Sequence, residues 1–316
     1  MSQSELIKTL KLRAELLATA RSFFAQRSVL EVETPVLGAS AVTDPNIQSF
    51  VVADENKPPR YLQSSPEFFM KRLLVNGAPD IYQITKAFRQ AEAGARHNPE
   101  FTLIEWYRRQ FDLAQISQET AELVQQLLLI REISLPIQRI SYRAACQQML
   151  GLDLIEQSLQ SLIQLATKQG LVAADKLPRA ALYDFIFDQA VVARLPQDVI
   201  YIVEYYPAEQ ASLAQLSQTD AQLAERFEIF AGGFELANGF LELRDADEQR
   251  QRFQQDLQIR SEQGLSTVAI DETFIAALRQ GLPACAGVAL GLDRVHLIVA
   301  QVDSLDQLLP FSWSAL

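Results

Sequence analysis

The chain has 316 residues, 48% of them apolar, which is enough for one large domain or two ordinary ones around a substantial core. Its 28 Lys and Arg against 39 Asp and Glu give a formal charge of −11, which argues against a general nucleic-acid binder and leaves room only for a local basic patch. Two distant cysteines, Cys146 and Cys285, and two histidines lack the number and spacing of zinc ligands. The N-terminal MSQSELIKTLKLRAELL carries charges throughout, unlike a signal peptide, and no apolar run approaches a membrane span, so a reducing cytosol is the expected setting.

Ser2 followed by Glu5 offers a capping box. Leu6, Leu10, Leu17 and Phe24 then recur at near-helical spacing and predict an amphipathic helix over 4–27. VLEVETPVL alternates and meets Pro35, a pattern for a short edge strand. Extended segments follow near 47–53 and 61–64, and Pro66 is placed to be the first residue of a helix to about Asn76. Residues 80–90 and 100–109 read as strands joined by the polar QAEAGARHNP, and Leu113 to Arg131 reads as helix. Residues 141–195 are mostly helical and chemically quiet, an insertion or connector more than a separate domain. DVIYIVEYY is a strong strand. ERFEIFAGGFELANGFLEL reads as two more, broken by Gly232-Gly233 and by Asn238-Gly239. Helices follow at about 245–262 and 271–280, then CAGVALGLDRVHLIVAQ takes a strand into a helix. The class is α+β, without repeats, low-complexity tracts or linkers.

Neither common phosphate loop, GxxxxGK[ST] nor GxGxxG, is present, so a nucleotide would have to be held by side chains on a sheet. Three stretches could do this. In FRQAEAGARHNPEFTLIEWY, alternation puts Phe101, Leu103, Glu105 and Tyr107 on one strand face, with Arg89 on the neighbouring strand and His97 in the loop able to meet phosphates. A core Phe beside a satisfied Glu would give the same pattern. Glu228, Glu235, Asn238 and Glu242 form a second group, costly near a core unless magnesium or a substrate ammonium meets them. Asn238 and Glu242 share strand parity, whereas Glu235 joins them only if the chain bends near Ala237–Gly239; a solvated hairpin face is the competing reading. In GVALGLDRV, small residues at Ala286, Gly287, Ala289 and Gly291 allow close approach. Arg294 follows in the first turn of a helix, where a cation opposes the dipole unless it meets a phosphate. A tight junction with a surface arginine is the alternative.

In their order, EVETPVL, FRQAEAGARHNPEFTLIEWY and GVALGLDR resemble motifs 1, 2 and 3 of class II aminoacyl-tRNA synthetases. HNPEFTLIEWY and FELANGFLELRDADEQRQRF are specifically similar to lysyl-tRNA synthetase, and the resemblance covers essentially the whole chain. There are two departures. Motif 1 begins early, leaving no place for the anticodon-binding OB-fold domain, and Ala289 stands where the synthetases have glycine. Both fit the stand-alone paralogues that attach (R)-β-lysine to a lysine of elongation factor P. A truncated synthetase acting on tRNA or a small amine, and an inactive regulatory paralogue, remain the rivals.

The resemblance implies an antiparallel sheet of about six or seven strands flanked by helices, in one catalytic domain over 1–316 with a helical connector at about 141–195. It implies a cytoplasmic homodimer joined through motif 1, using ATP and Mg2+, with elongation factor P and (R)-β-lysine as partners and neither tRNA nor membrane. Arg89 and Arg294 would be catalytic: Arg89 would hold the α-phosphate and the substrate carboxylate, and Arg294 with His97 the outer phosphates. Asn98, Leu236 and Gly291 would lie near the nucleotide, Phe101 would stack on adenine, and Glu228 and Glu235 would ligate magnesium. Ser65, Pro66, Glu67, Glu105, Tyr107, Asn238, Glu242 and Ala289 would line the amino-acid pocket, Tyr107 and Glu242 meeting the distal ammonium.

Overall fold

The computed structural model describes residues 3–55 and 57–316. The proposed capping box falls partly on Ser2, outside the described residues. Helix α1 (Gln3–Gln26) buries Leu12, Leu16, Ala20, Phe23 and Phe24. This stripe differs from the one expected, since Leu10 is half exposed and Leu17 only partly covered. Short strands β1 (Leu30–Glu31) and β2 (Leu37–Gly38) flank Pro35. β2 joins β3 (Val51–Asp54) and β4 (Lys57–Leu62) in a small antiparallel sheet. Helix α2 (Glu67–Val75) has Pro66 as its N-cap, one place earlier than expected, and the Ser65 hydroxyl accepts from the Glu67 amide at 3.0 Å.

Among the described residues the main sheet has eight strands in the order β1-β5-β6-β11-β10-β9-β8-β7. Its members are β5 (Ile81–Phe88), β6 (Glu100–Arg109), β7 (Ile137–Ser141), β8 (Ile200–Pro207), β9 (Leu223–Ala231), β10 (Phe234–Leu241) and β11 (Cys285–Gly291). The sheet is mixed, correcting the wholly antiparallel expectation: β1 pairs with β5, and β7 with β8, in parallel. Parallel neighbours need long crossovers. Between β7 and β8 the crossover is the connector, with α4 (Tyr142–Leu150), α5 (Leu159–Lys168) and α6 (Arg179–Ala190). These helices bury Tyr142, Leu182 and Ile186 against Tyr201, Val203 and Phe230 of the sheet.

The inner strands are antiparallel. Gly232 (φ 59°) and Gly233 (φ 77°) turn β9 into β10, where two left-handed residues match the twist of a hairpin. Asn238-Gly239 does not break β10, contrary to expectation. Gly239 is required inside the strand because a Cβ there would lie 2.4 Å from the Phe227 ring.

Helices cover both faces. On one side α1, α3 (Leu113–Leu128, opened by an Asp112/Gln115 capping box) and α9 (Leu292–Ala300) enclose Phe24, Ile104, Trp106, Leu123 and Val288. On the other, α2, α7 (Ala246–Glu262) and α8 (Glu272–Gly281) pack Met70, Leu74, Phe253 and Phe274 over Ile81 and Tyr107. A cavity of about 700 Å³ lies on this second face, and Phe101, Leu103, Glu105 and Tyr107 line it.

Candidate active site

Residues of β6 alternate, so the aromatic and carboxylate side chains on its cavity face come from every second position. At the Phe101 end, the Arg89 guanidinium lies 5.1 Å from the Phe101 ring centroid and 3.6 Å from Glu92. Arg89 follows β5 directly, and its amide donates to the Pro99 carbonyl at 2.9 Å, closing the 89–99 loop. Asn98 is used within the protein: its amide donates to the Glu100 carbonyl at 2.6 Å and its oxygen accepts from the Trp313 amide at 3.0 Å.

Arg294, in the first turn of α9, donates to the Glu235 carbonyl at 2.7 Å and lies 3.5 Å from the Glu235 carboxylate. Its second terminal nitrogen is 2.7 Å from His97 Nε2. Burial and then the Arg294 charge hold the His97 imidazole below its usual pKa, so Nε2 accepts in this pair. The neighbouring Asp293 is buried; it accepts from the Thr102 amide at 2.8 Å and pairs with Arg13 of α1 at 2.7 Å. Asp293 thus ties α9 to β6 beside Phe101.

The parity conflict at Glu235 is resolved by a β-bulge. Glu235 pairs with Phe230 and Ala237 with Ile229, leaving Leu236 as the extra residue. Glu235, Leu236, Asn238 and Glu242 therefore all line the cavity, as does Gly291. Glu228 does not stand on the cavity wall. It is buried, paired with Arg226, and accepts from the Tyr206 hydroxyl at 2.7 Å. Arg226 also donates to Asn238 at 3.2 Å. Burial pushes Glu228 up to about 7, with Arg226 opposing and the Glu235 charge adding to the rise. Among the described residues no three His, Cys, Asp or Glu side chains group around a metal position. Glu235 alone of the two expected carboxylates stands on the cavity wall and fits magnesium, which keeps waters and takes its other ligands from substrate phosphates, whereas Glu228 is held by Arg226 and Tyr206.

At the opposite end, Ser65 donates to Glu105 Oε2 at 2.7 Å and the Tyr107 hydroxyl to Glu105 Oε1 at 2.8 Å. Lys71 Nζ lies 2.6 Å from Glu67 Oε1 and 2.5 Å from Glu242 Oε2. Burial pushes Glu105 up to about 8, with the Glu67 charge adding, and pushes Glu242 up to about 8 with Lys71 opposing. Burial alone would pull the Lys71 ammonium down, but Glu242 and Glu67 more than reverse this. Ala289 is cross-strand neighbour to both Glu105 and Asn238. Gly287 beside it leaves the room that Tyr107 and Glu242 occupy: a Cβ there would lie 2.3 Å from each.

The structure thus brings the expected residues to one cavity, except that Glu228 is set behind it and Pro66, the N-cap of α2, does not line it. Sequence reasoning missed Lys71 and Arg226. The i,i+4 spacing of Glu67 and Lys71 was the available signal for the first. An antiparallel sheet floor with a guanidinium–aromatic shelf at one end and a carboxylate cluster at the other defines the class II synthetase type of site. The class II tRNA synthetase model for the D, K and N enzymes matches residues 1–314, and the chain belongs to that family. The chain is 42% identical over 311 residues to the elongation factor P–(R)-β-lysine ligase of Avibacterium paragallinarum, covering 97% of this chain and 95% of the relative. The ligase of the same name from Pseudoalteromonas translucida is 43% identical over 312 residues, 96% of this chain and 95% of the relative. That of Haemophilus influenzae strain Rd is 42% identical over 305 residues, 95% of this chain and 93% of the relative.

Proposed function

We propose that this protein activates (R)-β-lysine with ATP and transfers the β-lysyl group to a lysine side-chain amine of elongation factor P. The observation that carries the reading is the cluster of buried Glu105 and Glu242 with partly buried Glu67 and Lys71 as its counter-ion, a pocket built to take further ammonium groups. The named relatives support the choice of substrate and acceptor.

In the first step a substrate carboxylate oxygen attacks the α-phosphorus and the bond to pyrophosphate breaks, giving an acyl-adenylate. Arg89, beside Phe101, holds the α-phosphate and the carboxylate while the ring takes the adenine face. Arg294 exchanges its contacts with His97 for the outer phosphates, and the rest of the rate comes from in-line positioning and charge neutralisation. Magnesium, held by Glu235 with Glu228 behind it, would supply further neutralisation of phosphate charge. Glu242, Glu105 and Tyr107 orient the distal ammonium, and Ser65 and Glu67 the inner one. In the second step the neutral acceptor amine attacks the acyl carbon, the bond to AMP breaks, and the amine loses its proton.

The same reading makes residues 1–316 one catalytic domain acting in the cytoplasm as a homodimer. Half-exposed Leu30, Leu37, Val51 and Val52, in and on either side of the motif 1 segment, support that interface. No helix among the described residues is long and apolar enough to cross a membrane. The test incubates the protein with ATP, (R)-β-lysine and either elongation factor P or unmodified lysine tRNA. A factor heavier by one lysine residue at a single lysine is expected. Charging of the tRNA with no mass change on the factor would overturn the proposal.

A further inference from the structure

Lysine is almost never fully buried unless paired, yet Lys71 is 0% exposed. An ordinary i,i+4 partner of Glu67 would stay in solvent on the helix surface. Here the side chain turns inward from α2 and reaches Glu242, which follows β10, with the Phe274 ring of α8 at 5.9 Å from Nζ. The other groups facing it are Glu105 and Tyr107 of β6 and the Cys285 thiol of β11, which burial keeps neutral and which also feels Arg244 and Arg109. Glu105 has a hydroxyl on each oxygen, whereas Lys71 engages one oxygen of Glu67 and one of Glu242 and leaves the second of each. The remaining Glu242 oxygen lies over Gly287, at the spot where a Cβ would come within 2.3 Å.

We infer that Lys71 is a positioning residue that sets the charge demand of the pocket: it clamps Glu67 to Glu242, takes up one of three carboxylate charges, and leaves two for the two ammonium groups of a diamino acid. The inference rests on the function proposed above and extends it to why the pocket takes diamino acids. A substrate with one ammonium group would leave a buried carboxylate charge uncompensated, which has to take up a proton. Lys71 also favours the ionised form of Glu242. Without it, Glu242 binds its proton more tightly still, so the distal ammonium, which must displace that proton to form its ion pair, does so at a greater cost at neutral pH.

The test compares lysine with norleucine, which lacks the distal amine, by calorimetry and ATP–pyrophosphate exchange in the parent and in Lys71→Met, which roughly keeps the side-chain volume. The preference for lysine should fall roughly thirtyfold or more at pH 7. It should recover in part as pH rises from 7 to 9, while ATP affinity stays near the parent's. The distal amine of lysine, with a pKa of about 10.4, remains charged over that range, and the α-amine that titrates within it is common to norleucine. Should Lys71→Met fail to fold, Lys71→Gln keeps a donor between the carboxylates without the charge and carries the same expectation. A folded variant that keeps the preference, or loses it with no recovery at high pH, overturns the role of Lys71 alone. A parent with no preference for lysine overturns the proposed function and this role together.

Discussion

Gly287→Ala is the smallest perturbation that addresses the pocket floor. The added methyl carbon would sit 2.3 Å from Glu242 Oε1 and 2.3 Å from Tyr107 Cε1, more than 1 Å inside ordinary contact with both. Neither neighbour is a free end: Tyr107 is 2% and Glu242 1% exposed. Relief therefore requires moving the ring that donates to Glu105 at 2.8 Å, or the carboxylate that meets Lys71 at 2.5 Å, or the backbone of β11 itself. Overpacking of this kind costs about 1–3 kcal/mol, and a lost hydrogen bond adds about 1 kcal/mol. For a chain of this size that lowers Tm by roughly 3–6 °C. The chemistry should follow the geometry: the apparent affinity for lysine isomers falls at least about tenfold while that for ATP, bound at the other end of the cavity, changes little. Thermal unfolding with and without each ligand, together with KM values for both substrates in pyrophosphate exchange, provides the measurement. A Gly287→Ala protein with the parent's Tm and the parent's KM for lysine would show that the floor has slack the structure does not contain.

Arg89→Ala should remove roughly 3 kcal/mol of transition-state stabilisation, by analogy with the loss of a preorganised donor; near-normal pyrophosphate exchange in the folded variant refutes its placement on the α-phosphate. Ala289→Gly removes a methyl between Glu105 and Asn238 and should shift discrimination between β-lysine and α-lysine by about 1–3 kcal/mol, with unchanged selectivity placing the discrimination elsewhere. The unliganded protein should lose stability as pH rises from 6.5 to 8. Glu105 and Glu242, up to about 8, and Glu228, up to about 7, bind protons in the folded state that the unfolded chain has already released. A Tm that is flat or rising across that window contradicts the cluster as described.

The sequence by itself determined the elements and much of the site, because those signals are local. The two-residue alternation of FTLIEWY fixes which side chains of β6 share a face, whatever pairs beside it. The apolar spacing of α1 established a helix, although its buried stripe runs through Leu12, Leu16 and Ala20 and not through Leu10. Small residues in GVALG announced a close approach, and Gly287 is where it happens. What the tertiary structure alone decided depends on partners distant in the chain. Parity left Glu235 facing away from Asn238 until the bulge at Leu236 turned it, and a bulge is set by packing across the strand pair. Gly239 reads as a breaker but lies inside a continuous strand, since only the Phe227 ring and the Gly287 carbonyl on its two neighbouring strands reveal why no side chain fits. Glu228 looked free to meet a cation, yet Arg226 and Tyr206 hold it. Lys71 has the local pattern of a solvated helix pair; its burial follows from α2 lying on the sheet face where Glu242 waits for a counter-charge.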